Sequence, residues 1–486
     1  MSENALKEIP FAATFPLPFR VLFLAGMGIL GWAMNLHGLH ALGIDFAAVL
    51  EFRKTAPSGS GSNGYAPLRS RPGFKIVPDP AAVYESIYRL SIVFTAWCLV
   101  CWGLFRIITH GDIVLVDVFR YVPAICALGV LIVLICPFET LHKRERDMFL
   151  HCMRRCIFPP SGRPIYFSDV IFADIFTSFA KVLGDVWLSV YMLLPGATLL
   201  LLPRQEGLSR WIFPTIMSLP YFVRFHQCII EYVHPSNDSR RPLYNALKYA
   251  TSFPVIYLSA AQRVHEPIAG EIVTEALYGD ALFKLWLLAA AINSLYSFWW
   301  DVTNDWGLSL LKPEPSASDA RRNGHMSPPR PLMLPLLHLT STTSSPRSSS
   351  SSAGHPLTQA THAPVHTHIS PTQPHPYGLR HMLLYPLPVY PLVIFLNLVL
   401  RLTWSVKLSS HLHSQSSEGS VVIFWLEMAE MLRRWMWVFL RVEWEVVKKG
   451  GRGAMAGANA EVDMEGEYDE EAFELVGSDV NDFDER

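Results

Sequence analysis

Charged side chains recur inside apolar segments of the C-terminal half of the chain, where each needs a physical reason. A charge at the centre of a spanning helix costs roughly 2.5–3.5 kcal/mol on insertion scales, so it faces a cavity or a partner. Asp174, Ser178, Lys181 and Asp185 fall three or four residues apart and predict one polar helical face. Arg224, Gln227 and Glu231 repeat that pattern, and Lys248 with Tyr249 opens the next apolar segment. Asp301 and Asp305 lie one turn apart among Trp299, Trp300 and Trp306, and two adjacent carboxylates require cations to offset their repulsion. Those cations come later: Arg401 with Trp404 one turn on, then Glu430, Arg433, Arg434 and Trp437, followed by Arg441 and Glu443. Arg stays charged and presents a planar fork of donors suited to an oxyanion. Lys248, Arg401, Arg433 and Arg434, partly balanced by Asp and Glu, would attract a divalent oxyanion, while the acids keep the site from trapping it. The same charges could instead pair only with one another and hold helices together, and charge alone leaves both readings open. The three Trp residues also fit an interfacial belt, at least in part. No G-x-S-x-G, H-E-x-x-H, phosphate-binding loop or dinucleotide fingerprint is present, so nothing points to an enzyme or to a cofactor.

The elements that must carry these residues are apolar blocks of about 20, the length of a spanning helix. The 486 residues are 50% hydrophobic and only 17% charged, too apolar for one water-soluble core. The expected fold is all-α: a polytopic membrane helix bundle of about nine spans. These are roughly 18–41, 86–108, 118–138, 167–202, 211–233, 247–262, 281–301, 381–406 and 421–444. The fourth is too long for one ordinary crossing and is expected to tilt, to break near Gly184, or to be two segments. The sixth is short and begins at Lys248. Seven cysteines, mostly within apolar blocks, read as small core residues with no disulfide framework. The C-x-x-C of Cys98 and Cys101 lacks a second pair for zinc.

Residues 1–16 show no secretory signal. Basic residues cluster at 53–75, 143–163, 240–241, 312–347 and 448–452, whereas 264–280 is acidic. With nine crossings every basic cluster falls on one side, which the positive-inside rule makes cytosolic. The C-terminus is then cytosolic and the N-terminus lumenal or extracellular. Residues 313–377, rich in Ser, Pro, Thr and His, are expected to form a disordered cytosolic loop. His355, His362, His366, His368 and His375 offer a loose metal site at most, and a polar linker is the favoured reading. The acidic tail, 450–486, is expected to be solvated and suited to a basic partner. A net charge of −2 gives no reason to expect nucleic acid.

These stretches resemble the EXS-domain family, which takes its name from a yeast ER-retention protein, a mammalian retroviral receptor and phosphate exporter, and a yeast signalling suppressor. The matching segments are FADIFTS, RFHQC, NALKY, WWDVTNDWGL, LRLTW and EMLRRWMWVFLRVEWE, and IDFAAVLEF looks like the ER-retention branch. The resemblance covers about 17–310 and 380–446. It implies an N-terminal scaffold at 17–165 after a lumenal 1–16, and a transport core at 166–312 and 378–449. It implies inorganic phosphate as the substrate and a phosphate path lined by Asp174, Lys248, Tyr249, Asp301, Asp305, Arg401, Arg433 and Arg434. Trp404 corresponds to a gating aromatic and Glu430 to a neighbouring acid. The Arg pair that follows RFHQC in the exporters is Ile230 and Glu231 here, which removes a cation from the path. The 16 residues before the first span leave no room for the SPX sensor domain of the longer exporters, as in the ER-retention branch. That branch implies the Golgi membrane, phosphate return from lumen to cytosol, and retention of ER lumenal proteins with recycling of glycosyltransferases. A non-transporting trafficking factor, docking coat or enzyme tails through the cytosolic tail, is the alternative. The lipid bilayer is the constant partner, and the resemblance leaves a homodimer open.

Overall fold

A computed structural model of the chain describes residues 11–50, 80–139, 142–159, 164–200, 209–264, 272–308, 310, 379–380, 382–408 and 417–477. Within these, the side chains at 209, 263–264, 272–279, 403–408, 417–419 and 451–477 are not described. The expected linker at 313–377, the basic stretch at 53–75 and part of the acidic connection at 264–280 lie outside the described residues. Two compact units are present, residues 1–308 with 383–445, and residues 309–382 with 446–486. All the geometry below belongs to the first.

Among the described residues the regular structure is entirely helical. In chain order the helices are α1 (Phe11–Thr14), α2 (Leu17–Ala41), α3 (Phe46–Val49), α4 (Pro80–Thr109), α5 (Ile113–Val118), α6 (Tyr121–Ile135) and α7 (Lys143–Ile157). They continue with α8 (Phe167–Ser178), α9 (Ala180–Met192), α10 (Ser209–Val233), α11 (Arg241–Ala250), α12 (Ser252–Val264) and α13 (Ile272–Trp300). A π-helical turn, Asp301–Asp305, extends α13, and α14 (Val389–Leu408) and α15 (Ser417–Gly477) complete the set. The last helix continues through 450–477. Its run of Glu, Ala, Met and Leu is rich in helix formers, so local propensity favours a helix whatever it packs against.

Among the described residues, four stretches are long and apolar enough to cross a membrane: Leu17–Ala41, Pro80–Thr109, Ile113–Ile135 and Asp280–Asp305. Val389–Leu402 is apolar but shorter. The expected count of nine is therefore not established by length and composition, because the remaining segments are broken or carry several charges. What marks the bundle as a membrane protein is the inversion of polarity. Ile92, Val100, Ile107, Val114 and Ile135 on α4, α5 and α6 point outward, whereas Asp174, Lys181, Lys248, Asp301 and Arg433 are buried. Water would favour the reverse, and lipid favours this arrangement.

The long fourth segment is two helices. The break falls at Phe179, five residues before Gly184, where Phe179 N–H bonds the Phe176 carbonyl at 3.0 Å in a tight turn. Gly184 lies inside α9 and serves close packing instead: a Cβ there would meet the Phe213 ring of α10 at 2.6 Å. The sixth segment is likewise divided at Thr251 into α11 and α12. The polar stripe from Asp174 to Asp185 is therefore not one continuous face. Asp174 and Ser178 sit on α8, Lys181 and Asp185 on α9. The seven cysteines are unpaired, in keeping with small core residues.

Candidate functional site

Three helix discontinuities meet around one cavity: the α8–α9 break, the α11–α12 break and the π turn. Interrupted helices free backbone groups and redirect side chains, and they are tolerated at depth only where they line a cavity or are covered by protein. Counted with the open solvent at its mouth, the cavity spans about 400 Å³. Lys248 and Tyr249 from α11, Arg401 from α14, and Glu430, Arg433 and Arg434 from α15 line it.

The π turn sets the acid pair. Trp306 N–H bonds the Asp301 carbonyl at 2.9 Å, five residues back, and Gly307 closes the turn with φ +65°. A Cβ at Gly307 would meet the Trp444 ring at 2.4 Å, so the glycine is needed for its backbone conformation and for space. Both carboxylates then face Lys248, whose Nζ donates to Asp301 Oδ1 and to Asp305 Oδ2, each at 2.9 Å. Trp300 Nε1 donates to the other Asp305 oxygen at 3.2 Å. Arg401 Nη2 bonds Asp301 Oδ2, and Asn397 Nδ2 reaches the same oxygen at 3.3 Å. Asp301, wholly buried, is thus held between Lys248 and Arg401, with Arg433 Nη1 3.7 Å from its Oδ2.

On the other side, Asp174 accepts from Arg224 Nε at 2.9 Å and from the Tyr249 hydroxyl at 2.5 Å. Arg224 also donates to Gln227 Oε1 at 2.5 Å. Glu231, placed on that face by its spacing, is exposed instead. Arg433 clamps Glu430, with Nε to Oε2 at 3.0 Å and Nη2 to Oε1 at 2.5 Å. Arg434 is steered by two hydroxyls, Nε to Ser178 Oγ at 3.2 Å and Nη2 to Thr177 Oγ1 at 2.7 Å, and its guanidinium lies 4.8 Å from the Trp437 ring centre.

Five buried cations (Arg224, Lys248, Arg401, Arg433, Arg434) face four buried carboxylates (Asp174, Asp301, Asp305, Glu430), leaving one positive charge in excess. Arg434 Nη1 and Arg401 Nε have no hydrogen-bond partner among the described residues, although both residues line the cavity. Buried donors without acceptors are costly, and a small oxyanion in the cavity would satisfy them.

The geometry sorts the residues singled out by sequence. Lys248, Tyr249, Arg401, Glu430, Arg433 and Arg434 line the cavity, whereas Asp174, Asp301 and Asp305 stand behind it as counter-ions. The Trp404 side chain lies outside the described residues. Sequence reasoning missed Thr177, Tyr221, Ser252, Asn293 and Ser297, which complete the wall. Thr251 and Ser252 hydroxyls both donate to Asn293 Oδ1, at 2.9 and 3.1 Å, tying the α11–α12 break to α13. Their only sequence signal was uncharged polarity inside an apolar block.

Residues 15–447 match the EXS family. The chain belongs to the EXS family. Across 452 residues it is 26% identical to "Protein ERD1 homolog 1" of Schizosaccharomyces pombe, covering 90% of this chain and 92% of that protein. It is 25% identical over 392 residues to "Protein ERD1" of Kluyveromyces lactis, covering 78% and 83% respectively. A shorter likeness, 25% over 255 residues, joins it to "Solute carrier family 53 member 1" of Mus musculus, covering 48% of this chain and 34% of that one. As an EXS protein with several apolar helices and an inverted core, the chain is an integral membrane protein.

Proposed function

We propose that this EXS protein carries inorganic phosphate across the Golgi membrane, from lumen to cytosol, through the cavity between α8, α11, α13, α14 and α15. The observation that carries the reading is the excess cation with unpartnered donors, Arg434 Nη1 and Arg401 Nε, in one small cavity. Arg401, Arg433 and Arg434 supply the forks, Lys248 a point charge, and Tyr249 and Thr177 neutral donors. Asp301, Asp305, Asp174 and Glu430 hold the cations in place and offer them partners when the anion leaves, which keeps binding reversible. Phosphate rather than another oxyanion rests on the family resemblance, supported by a relative named as a solute carrier. The Golgi setting, the cytosolic C-terminus and a role in retaining ER and Golgi proteins rest on the ERD1-type relatives, which match nearly the whole chain. Purified protein in sealed vesicles is expected to move radiolabelled phosphate, with excess sulfate competing weakly. Vesicles that show no phosphate flux above protein-free controls would sink the reading.

A second reading keeps the same family but no transport: a trafficking factor acting through its C-terminal segment. It is favoured by the same near-complete match to ERD1-type proteins, against half the chain for the solute carrier. Deleting 450–486 separates the two, since a transporter keeps its flux and a trafficking factor loses its function.

A further inference from the structure

A second group of buried charges lies beyond the cavity and is not accounted for by it. Lys181 Nζ bonds Asp185 Oδ1 and stands 3.7 Å from Glu427 Oε1. Arg20, on the first turn of α2, is 9% exposed, and the acids whose charge it feels are Asp185 and Glu427. Its Nε has no hydrogen-bond partner among the described residues, and its guanidinium lies 5.2 Å from the Phe11 ring centre. Three elements supply the group: α2 gives Arg20, α9 gives Lys181 and Asp185, and α15 gives Glu427.

The position of the group follows from helix register. Gly31 and Gly38 of α2 face Trp435 and Phe439 of α15, so these two helices run parallel. Ser178 meets Arg434 and Glu430, while Lys181, one turn later, meets Glu427, so α8–α9 runs antiparallel to α15. Glu427, Glu430 and Arg434 are three and four residues apart, on one face of α15. The charged layers therefore continue from the cavity toward the end where α2 and α15 begin. Glu427 lies seven residues before Arg434, about 10 Å along the axis.

We propose that Arg20, Lys181, Asp185 and Glu427 form a second station for the same oxyanion, between the cavity and the membrane face at which α2 and α15 begin. The inference rests on the transport reading above. Two cations face two carboxylates, so the station has no charge in excess, whereas the cavity has one. An anion reaching it exchanges places with a carboxylate on Lys181 and takes the open Nε donor of Arg20. Neutral overall, the station holds the anion less tightly than the cavity and passes it on. Closed as described, with Lys181 held by both acids, it seals that end of the path.

The bland account is an ion pair that only fixes helix packing. The two accounts separate in the neutral double variant Lys181→Met/Asp185→Leu, because replacing both partners of a buried pair by apolar residues of similar volume is usually tolerated. Initial rates of radiolabelled phosphate uptake are measured in proteoliposomes of the full chain, with thermal unfolding in detergent as the folding control. A rise of tenfold or more in half-saturating phosphate, or loss of flux, at unchanged Tm is the expected result. Wild-type saturation in the double variant overturns the station and leaves the transport reading standing. No flux in the wild-type protein overturns both. If the double variant does not fold, Arg20→Gln carries the test, since Arg20 Nε has no hydrogen-bond partner among the described residues. Raised half-saturation supports the station there, and unchanged kinetics overturn it.

Discussion

At the residue scale, the site depends on how few of its charges are spare. Lys248 is the one cation between Asp301 and Asp305. Lys248→Ala leaves buried carboxylates under-compensated and is expected to cost about 3–5 kcal/mol, read as a large drop in thermal unfolding temperature. Lys248→Met/Asp305→Asn should recover most of that stability without recovering phosphate flux; recovery of both would assign Lys248 a structural role only. Arg434→Lys keeps a charge but loses the fork that reaches Thr177, Ser178 and the open cavity. Half-saturating phosphate should rise at least tenfold, about 1.4 kcal/mol, with folding intact. Sequence spacing made this set of residues legible because charges in apolar blocks are so costly that each demands a partner. It could not assign the partners. Asp174 and Lys181 share a sequence stripe, yet Asp174 bonds Arg224 and Tyr249 while Lys181 bonds Asp185.

At the element scale, the cavity is made by interruptions rather than by ideal helices. Phe179, Thr251 and the π turn each redirect the chain within one turn of a lining residue: Thr177, Ser252 and Ser297. None has a strong sequence signal. Phe179 and Thr251 are ordinary helix residues by propensity, and Gly184, the conspicuous breaker candidate, packs against Phe213 instead. Gly307 is the exception, since its φ of +65° and the Trp444 ring leave no room for a side chain. Gly307→Ala is expected to destabilise by about 1–3 kcal/mol and to lower flux by tilting the Asp301–Asp305 turn off Lys248. Gly103→Ala, in the open middle of α4, is the matched control and should stabilise by up to about 1 kcal/mol. Thermal unfolding of the two variants in detergent checks both signs; equal shifts would remove the special role of the turn.

At the scale of the whole molecule, the sequence identified a helical membrane bundle because apolar blocks of spanning length are hard to mistake. Counting crossings was harder. Helices α8 to α12 carry charges and breaks that make them poor spans by composition, and their polarity is what the cavity uses. The proposed orientation rests on nine crossings, which put the basic clusters on one side, and a C-terminal tag is then expected to be accessible to protease on sealed vesicles. Full protection of that tag would reverse the proposed direction. The most direct test of the account as a whole is phosphate flux by the purified full chain in proteoliposomes, wild type beside Arg434→Ala. The expected result is saturable wild-type uptake and flux at the protein-free level in a folded Arg434→Ala protein. Equal flux in the two proteins would contradict the assignment of the cavity as the phosphate path.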